Sequence, residues 1–227
     1  MRLFLSPTIA PRLCNICGYE GRFYPFGTPP RLDAGCPSCG SLERHRFLKL
    51  WSDRNSACLQ DQTVLHFAPE RPVRSFVEPL AARYLTADID PQKADHQVNI
   101  EQVSFAESAF DTILCSHVLE HVDDRKALAE LYRVLRPGGL LLLMTPVVWA
   151  WAKTYENPAI TTERDRLLHF GQNDHVRIFG TDIIDRIEKV GFRVSLFHST
   201  EPAVSRHGLL RNDVLFLCRK ARVSAAS

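Results

Sequence analysis

Two short cysteine pairs near the start of the chain constrain its fold more than any other feature. Cys14 and Cys17 belong to one C-x-x-C-G segment and Cys36 and Cys39 to a second, so the spacing is C-x2-C-x18-C-x2-C. That spacing is typical of four-thiolate zinc sites. The glycine after each pair permits the left-handed backbone that directs amide N–H groups toward the sulfurs. We therefore predict a small metal module over residues 1–40, whose tetrahedral site suits Zn²⁺ best and iron second.

Two disulfides, or four unrelated thiols, are the alternatives to a metal site. Disulfide frameworks belong to small secreted domains that are dense in cysteine, whereas this chain has seven cysteines in 227 residues. Residues 1–13 contain only the short apolar run Leu3-Phe4-Leu5, interrupted by Pro7 and Pro11. We therefore expect no secretory leader and a reducing, cytoplasmic compartment. We interpret Cys115 and Cys218, which lie in apolar runs, as buried small hydrophobic residues.

Composition excludes several classes of protein. The hydrophobic fraction of 45% is enough for a real core. No apolar run approaches the roughly 18 residues that a membrane helix needs, so we expect no membrane association. The formal net charge is only +2, which gives no large electrostatic footprint for nucleic acid.

A basic helix is predicted directly after the metal module. Ser41 is positioned to cap a helix that runs to about residue 51, and its polar side carries Arg44, His45, Arg46 and Lys49. Such a helix beside a zinc ribbon can contact phosphates; the alternative is an ordinary solvated helix face. Residues 41–62 are thus predicted to be a helix and linker.

From Thr63 onward the sequence alternates between short apolar strands and amphipathic helices. The predicted strands are 64–67, 84–87, 98–100, 110–115, 140–144, 192–197 and 214–218, and the predicted helices are 73–83, 125–135 and 181–190. This alternation predicts an α/β domain over residues 63–220, with a mostly parallel sheet that is covered on both faces. Residues 146–180 form a long insertion that we interpret as a lid, and residues 221–227 form a tail.

Two segments carry a resemblance to a known family. They are Phe-Asp-Thr-Ile-Leu-Cys-Ser-His-Val-Leu-Glu-His-Val at 110–122 and Leu-Arg-Pro-Gly-Gly-Leu-Leu-Leu-Leu at 135–143, and residues 84–90 and 99–100 support them. In this order they resemble class I S-adenosylmethionine-dependent methyltransferases, and most closely the type 11 group that acts on small molecules. The resemblance covers residues 63–220. It implies a Rossmann-like fold with a mostly parallel seven-stranded sheet and S-adenosylmethionine as the cofactor.

The resemblance also implies which residues form the cofactor site. Asp88 is expected to bind the cofactor ribose, Asn99 and Ile100 to flank the adenine, and Ser116 and His117 to line the region near the sulfonium. The complete predicted cofactor set is His66, Ala68, Glu70, Asp88, Ile89, Asn99, Ile100, Ser116 and His117.

The first motif departs from the family pattern. The family usually has an acidic residue and a glycine-rich turn after the first strand, whereas residues 66–72 are His-Phe-Ala-Pro-Glu-Arg-Pro. We predict that Glu70 supplies a displaced carboxylate for the cofactor's amino group. The alternative is that Glu70 pairs with Arg71 or Arg74 and that the cofactor site is degenerate.

The lid carries the predicted acceptor site. Aromatic side chains and an ionisable group suit a lid over a small polar substrate; the predicted substrate residues are Trp149, Trp151, Tyr155, Asp174, His175 and Arg177. A histidine has a suitable pKa for a general base, and we predict His175 first and His117 second in that role. Glu120 and His121 are expected to cap and pack locally. The alternative is a packed connection without substrate contact.

The leading interpretation is a methyltransferase that acts on a small-molecule acceptor by in-line displacement, with the ribbon covering the acceptor site. One alternative is an RNA methyltransferase that docks nucleic acid through the ribbon and the Arg44/Arg46 helix. The other is a non-catalytic adaptor with a degenerate cofactor site. The sequence leaves open the acceptor, the atom that is methylated and the oligomeric state.

Overall fold

The computed structural model describes residues 10–222 of the chain. The expectations for residues 1–9, including the absence of a leader, and for residues 223–227 of the tail lie outside the described residues. Across residues 10–222, no helix has both the length and the apolar composition needed to cross a membrane.

Two small hairpins form the N-terminal ribbon. Strand β1 (Arg12–Leu13) pairs antiparallel with β2 (Glu20–Gly21), and β3 (Tyr24–Phe26) pairs antiparallel with β4 (Arg31–Gly35). A cysteine turn follows β1 and another follows β4. The glycine that ends each turn has a positive φ, 77° at Gly18 and 73° at Gly40, so the predicted left-handed backbone is confirmed.

The helix after the ribbon begins one residue later than predicted. Helix α1 spans Glu43–Arg54, and its N-cap is Leu42. The Leu42 amide donates to Nδ1 of His45 at 3.0 Å, while the Ser41 hydroxyl lies 3.3 Å from the sulfur of Cys14. The predicted Ser41 cap is therefore wrong, because that hydroxyl is used at the cysteine cluster.

The domain after residue 62 contains nine strands and five helices among the described residues. The strands are β5 (Thr63–Phe67), β6 (Arg83–Asp88), β7 (His96–Gln97), β8 (Phe110–Ser116), β9 (Leu135–Met144), β10 (Tyr155–Glu156), β11 (Arg177–Ile178), β12 (Phe192–His198) and β13 (Val214–Lys220). The helices are α2 (Arg71–Val77), α3 (Asp124–Val134), α4 (Glu163–Phe170), α5 (Ile183–Lys189) and α6 (Ala203–His207). Helix α2 is shorter than predicted and ends before Pro79, since proline interrupts the helical hydrogen bonds.

Seven of these strands form one sheet in the order β12-β13-β9-β8-β5-β6-β7. All neighbouring pairs are parallel except the two that involve β13, which runs antiparallel to both β9 and β12. Strands β5 and β8 are neighbours at the centre of the sheet. The strand that follows β5 along the chain, β6, lies on one side of this central pair, and the strand that follows β8, β9, lies on the opposite side. The carboxyl ends of β5 and β8 therefore meet at the switch point, where ligands of open α/β sheets bind.

Both faces of the sheet are covered, as predicted. One face packs against α3 and α5 through Leu128, Leu131, Ile183 and Ile187. The opposite face packs against α1, α2 and α6, and Phe47 and Trp51 of α1 are almost completely buried there. Helix α1 is thus a structural layer of the α/β domain, and the ribbon is attached directly to it.

Candidate active site and metal centre

The four ribbon cysteines converge on one point. The sulfurs of Cys14 and Cys39 lie 3.6 Å apart, those of Cys17 and Cys36 lie 3.7 Å apart, and all four sulfurs fall within 4.8 Å of one another. A tetrahedral zinc with Zn–S bonds of about 2.3 Å requires sulfurs about 3.8 Å apart. The arrangement fits one tetrahedral metal ion, in agreement with the prediction from spacing.

Arg46 lies in the interior and not on the polar side of α1 where it was predicted. The residue is fully buried. Its guanidinium donates to the carbonyls of Ser41 at 2.6 Å, His207 and Gly208 at 2.7 Å, and Ala34 at 2.9 Å. It therefore connects the ribbon, α1 and the end of α6, and it is not available to a phosphate.

The turn at the switch point is left-handed although it lacks glycine. Ala68, directly after β5, has φ of 48°, and its amide donates to the Ala87 carbonyl at 2.9 Å. His117, directly after β8, has φ of 55°, and its amide donates to the Met144 carbonyl at 2.8 Å. A side chain in this region costs roughly 1–2 kcal/mol. Such strain clusters at functional sites, where the surrounding structure maintains it.

Glu70 is held by the helix that follows the ribbon. Its carboxylate accepts hydrogen bonds from the Arg44 guanidinium, and Nε2 of His45 lies 2.8 Å from Oε2. Burial raises the pKa of Glu70, but His45 and Arg44 lower it further, to about 2. Among the described residues, Glu70 forms no ion pair with Arg71 or Arg74, and Arg74 binds Glu78 instead. A contact between Glu70 and the cofactor remains a prediction, whereas its contact with α1 is observed.

His66 does not reach the ligand edge of the sheet. Its side chain is 1% exposed, and Nδ1 lies 2.6 Å from the Tyr84 hydroxyl. Burial lowers the pKa of His66 to about 4, so the ring is neutral near pH 7. The predicted contact between His66 and the cofactor is therefore wrong. The side chain instead connects β5 to β6 through Tyr84.

The remaining predicted cofactor residues lie at strand ends. Asp88 ends β6 and accepts the Asp90 amide through Oδ1 at 2.8 Å. The lone pairs of Oδ2 suit the two hydroxyls predicted for the ribose. Asn99 accepts the amide of Glu101 through Oδ1 at 2.9 Å. Ile89 is 65% exposed beside Asp88.

Ser116 and Ile100 complete the predicted cofactor set. Ser116 ends β8 and is half-buried, next to His117. Ile100 is buried and packs into the core, so its predicted place beside the adenine stays a prediction. The donor set as a whole fits a nucleoside, because it offers a carboxylate at the end of the second parallel strand and a left-handed turn at the end of the first.

A cavity of about 1210 Å³ adjoins the switch point. Its walls come from five parts of the fold: the β3–β4 hairpin, the start of α1, the ends of β8 and β9, the lid, and residues 210–214. The cavity brings together His117, Trp149 and His175 of the predicted site. Sequence reasoning missed Phe26 and Arg31, which extend the wall from the ribbon.

Trp151, Tyr155, Asp174 and Arg177 do not line the cavity. Trp151 packs edge-on against Tyr155, and the Tyr155 hydroxyl lies 2.7 Å from Nδ1 of His169. Both aromatic residues are partly exposed, and the contacts shown for them are with other residues of the lid.

Arg177 has a structural role, not the predicted role in binding the acceptor. Its side chain is 10% exposed. It donates to the carbonyls of Leu119 and Val122 and forms ion pairs with Asp124 and Glu156. It therefore holds the lid against the turn that follows β8.

That turn carries an unexpected cluster of ionisable side chains. Glu120 is 2% exposed, and its Oε2 accepts the Thr145 hydroxyl at 2.8 Å. Its Oε1 lies 3.2 Å from Nδ1 of His117, but the ring nitrogen is not directed at it. His121 and His175 pack with their rings perpendicular, 4.7 Å between centroids. Glu120 and His121 thus face the cavity and do more than the local capping predicted for them.

Burial and neighbouring charge set the protonation of this cluster. Burial raises the pKa of Glu120, yet the contacts with His117 and Thr145 outweigh it, so the pKa falls below its usual value. Burial lowers the pKa of His175. At neutral pH the cluster therefore combines an ionised carboxylate with a neutral imidazole.

Comparison with known proteins agrees with this architecture. Residues 64–143, about a third of the chain, match the family described as "Methyltransferase domain". Over 64 residues the chain is 42% identical to the ubiquinone/menaquinone biosynthesis C-methyltransferase UbiE of Klebsiella pneumoniae. The match covers 26% of this chain and 26% of that relative; the chain spans only about a quarter of the length of the curated relatives it matches.

Solved structures show the same fold. The YcgJ protein of Bacillus subtilis matches 79% of this chain and all of its own, with a TM-score of 0.55 and 16% identity. The chain has a Rossmann-like methyltransferase fold. The structure of the [4+2]-cyclase SpnF matches 79% of this chain and 82% of its own, with a TM-score of 0.58 and 12% identity. The fold is therefore shared with a protein named for a different reaction, so the activity of this chain has to be argued from its site.

Proposed function

We propose that this protein transfers a methyl group from S-adenosylmethionine to a small-molecule acceptor held in the cavity. The observation that carries the proposal is the position of the cavity. Its wall includes His117 at the end of β8, and β8 adjoins β5 at the switch point where a nucleoside cofactor binds in this fold. A cofactor at the switch point would therefore have its methyl group next to an acceptor in the cavity.

The cofactor side is supplied by the strand ends. Asp88 is the residue we propose for the ribose hydroxyls, with Asn99 and Ile89 beside the adenine and Ser116 near the sulfonium. The bound cofactor supplies an activated methyl group on a positively charged sulfur. Ala68 adopts the left-handed turn that glycine usually provides. Its side chain is only a methyl group, so the backbone can still approach the ligand closely.

The acceptor side has to align a nucleophile with the methyl carbon and exclude water. During transfer the sulfur–carbon bond breaks, its electron pair stays on sulfur, and a new bond joins the methyl carbon to the acceptor atom. An acceptor that carries a proton transfers it to a base. We propose His117 for this step, because its ring is 37% exposed and faces the cavity beside the Glu120 carboxylate. His175 is 6% exposed and lies deeper.

The ribbon acts as a wall of the acceptor site in this proposal. Arg31 of β4 binds the buried Glu43 carboxylate of α1 through Nε at 2.8 Å, and both residues line the cavity. Zn²⁺ bound by the four cysteines would fix the hairpin that carries Phe26 and Arg31. The metal has a structural role here, since four thiolates leave no open position.

Docking of RNA has less support than a small acceptor. Arg46 is buried, and Arg44 forms an ion pair with Glu70, so the two arginines expected to bind phosphates are used within the protein. A non-catalytic adaptor remains the second candidate. It is favoured by the engagement of Glu70 with α1, which removes a free carboxylate from the altered first motif.

Calorimetric titration of metal-loaded protein with S-adenosylmethionine tests the proposal. We expect micromolar binding that Asp88→Ala weakens by about 100-fold or more, since two charge-assisted hydrogen bonds of at least 1.5 kcal/mol each are lost. Asp53→Ala, which removes an exposed carboxylate of α1, is the matched control and should bind normally. Absence of binding by folded, metal-loaded protein would support the adaptor instead.

A further inference from the structure

We propose that Glu120, His121 and His175 bind a divalent transition-metal ion on the wall of the acceptor cavity, separate from the four-cysteine site. Each residue offers one ligand atom, and the three atoms lie within 4.8 Å of one another. Metal–nitrogen and metal–oxygen bonds of about 2.1 Å separate tetrahedral ligands by about 3.4 Å. The observed separations therefore exceed the tetrahedral value by at most about 1.4 Å.

The Glu120 carboxylate supplies the strongest argument. The residue is 2% exposed, and among the described residues no well-aligned hydrogen bond reaches Oε1; Nδ1 of His117 lies 3.2 Å away but is not directed at it. A buried carboxylate oxygen without a partner is costly. A cation between Glu120 and the two imidazoles would remove that cost, whereas a purely structural carboxylate would be expected to have both oxygens satisfied.

The backbone positions the ligands before any metal binds. Glu120 and His121 belong to the turn after β8, and His175 belongs to the lid. The Val176 amide donates to the Glu120 carbonyl at 2.9 Å, and Arg177 binds the carbonyls on either side, at Leu119 and Val122. The two segments that carry the ligands are therefore fixed against each other at three points.

A carboxylate outside the cluster orients one of the histidines. Asp174 Oδ2 lies 3.3 Å from Nδ1 of His121, which leaves Nε2 for a metal. Metal-binding histidines commonly place a carboxylate on the nitrogen that does not bind the metal. Asp174 was predicted to contact substrate, and this arrangement gives it a different purpose.

Two imidazoles and one carboxylate favour Zn²⁺ or Fe²⁺ over Mg²⁺ or Ca²⁺. Three protein ligands leave at least one position open, and all three ligand residues line the cavity. On the basis of the proposed function, the open position selects acceptors with an oxygen donor, such as a hydroxylated or carboxylated small molecule. The metal would hold that oxygen and favour its deprotonated form.

The zinc content of the purified full-length protein tests the site. Protein saturated with ZnCl₂ and passed over a chelating resin should hold two zinc ions per chain by mass spectrometry. His121→Gln and His175→Gln should each hold one, with the second ion bound at least about 100-fold more weakly in a calorimetric ZnCl₂ titration. His169→Gln is the matched control, because His169 lies in the lid but outside the cluster, against Tyr155, and it should hold two.

A single zinc per chain in the wild type would overturn the proposal, as would two zinc ions in both cluster variants or a loss in the His169 control. His121 is 29% exposed, so its variant should fold if His175→Gln does not, and circular dichroism checks this. Titration of the same samples with S-adenosylmethionine separates the two hypotheses. Cofactor binding with one zinc rejects only the second metal site, and two zinc ions without cofactor binding reject only the proposed methyl transfer.

Discussion

Replacement of Arg46 by methionine tests whether the ribbon and the methyltransferase domain form one folding unit. Methionine keeps much of the buried volume but removes every donor. The Ser41, Ala34, His207 and Gly208 carbonyls, which now accept hydrogen bonds from the guanidinium, would be left without that partner. The change therefore acts at the junction of the ribbon, α1 and α6 at once.

The expected loss of stability is large. The Ser41 carbonyl keeps the Cys36 amide as a donor at 2.9 Å, so three carbonyls lose the guanidinium without that compensation. An unsatisfied buried carbonyl costs about 1 kcal/mol or more, so three of them cost at least about 3 kcal/mol. Removal of the buried charge offsets part of this, since burial lowers the pKa of Arg46 and disfavours its charged form. We expect a net loss of about 3–5 kcal/mol, the range seen when one partner of a buried charged contact is removed.

Urea unfolding followed by circular dichroism measures this loss. With a slope of about 2 kcal/mol per molar urea, the midpoint should fall by about 2 M. Arg54→Met is the matched control, because Arg54 is exposed at the end of α1 and its guanidinium lies 5.8 Å from the centre of the Phe197 ring. Its midpoint should move by less than about 0.5 M. An equally small shift for Arg46→Met would refute the reasoning and indicate that the ribbon folds independently.

Three further changes have defined expectations. Ala68→Gly should stabilise the fold by roughly 0.5–1 kcal/mol in the same urea assay, because it relieves the left-handed alanine; a loss would show that the turn is not strained. The buried His66 has a pKa of about 4 in the folded state against about 6.5 when unfolded, so the unfolded chain binds the extra proton and stability should fall by about 3 kcal/mol as the pH drops from 6.5 to 4. His66→Gln should flatten that dependence, and an unchanged slope would contradict the assignment. Glu70→Gln should destabilise the protein at pH 7 by roughly 2 kcal/mol. Because the pKa of Glu70 is lowered to about 2 in the folded protein, the wild type should lose stability as the pH falls from 4.5 to about 2, and the variant should not. More than a tenfold loss of cofactor affinity would instead support a direct contact between Glu70 and the cofactor.

The sequence predicts the fold well because its signals are local. Cysteine spacing defines the ribbon, and continuous apolar runs such as Leu140 to Met144, which are buried in the sheet, define the central strands. The mostly parallel seven-stranded sheet follows from the family resemblance, and the structure confirms it. The third strand was placed at 98–100 but lies at His96–Gln97, because so short an edge strand has little periodicity to reveal it.

Side-chain roles were harder to predict because they depend on contacts distant in sequence. Arg46 looks like a surface residue by composition, yet its partners include carbonyls at residues 207 and 208. Arg177 likewise looks like an anion ligand but binds carbonyls at 119 and 122. The proximity of Glu120 and His121 to His175 requires the lid to fold back over the turn after β8, and no single-sequence pattern encodes that approach.

The β3–β4 hairpin has a consequence for how this architecture can diversify. Residues 26–28 at its tip line the cavity, while the backbone that carries them is anchored by a cysteine turn and not by the seven-stranded sheet. Insertions or substitutions at the tip can therefore reshape the cavity without disturbing the strand ends proposed to bind the cofactor. An engineer seeking a new acceptor could therefore randomise this loop alone, and leave the transfer machinery as it stands.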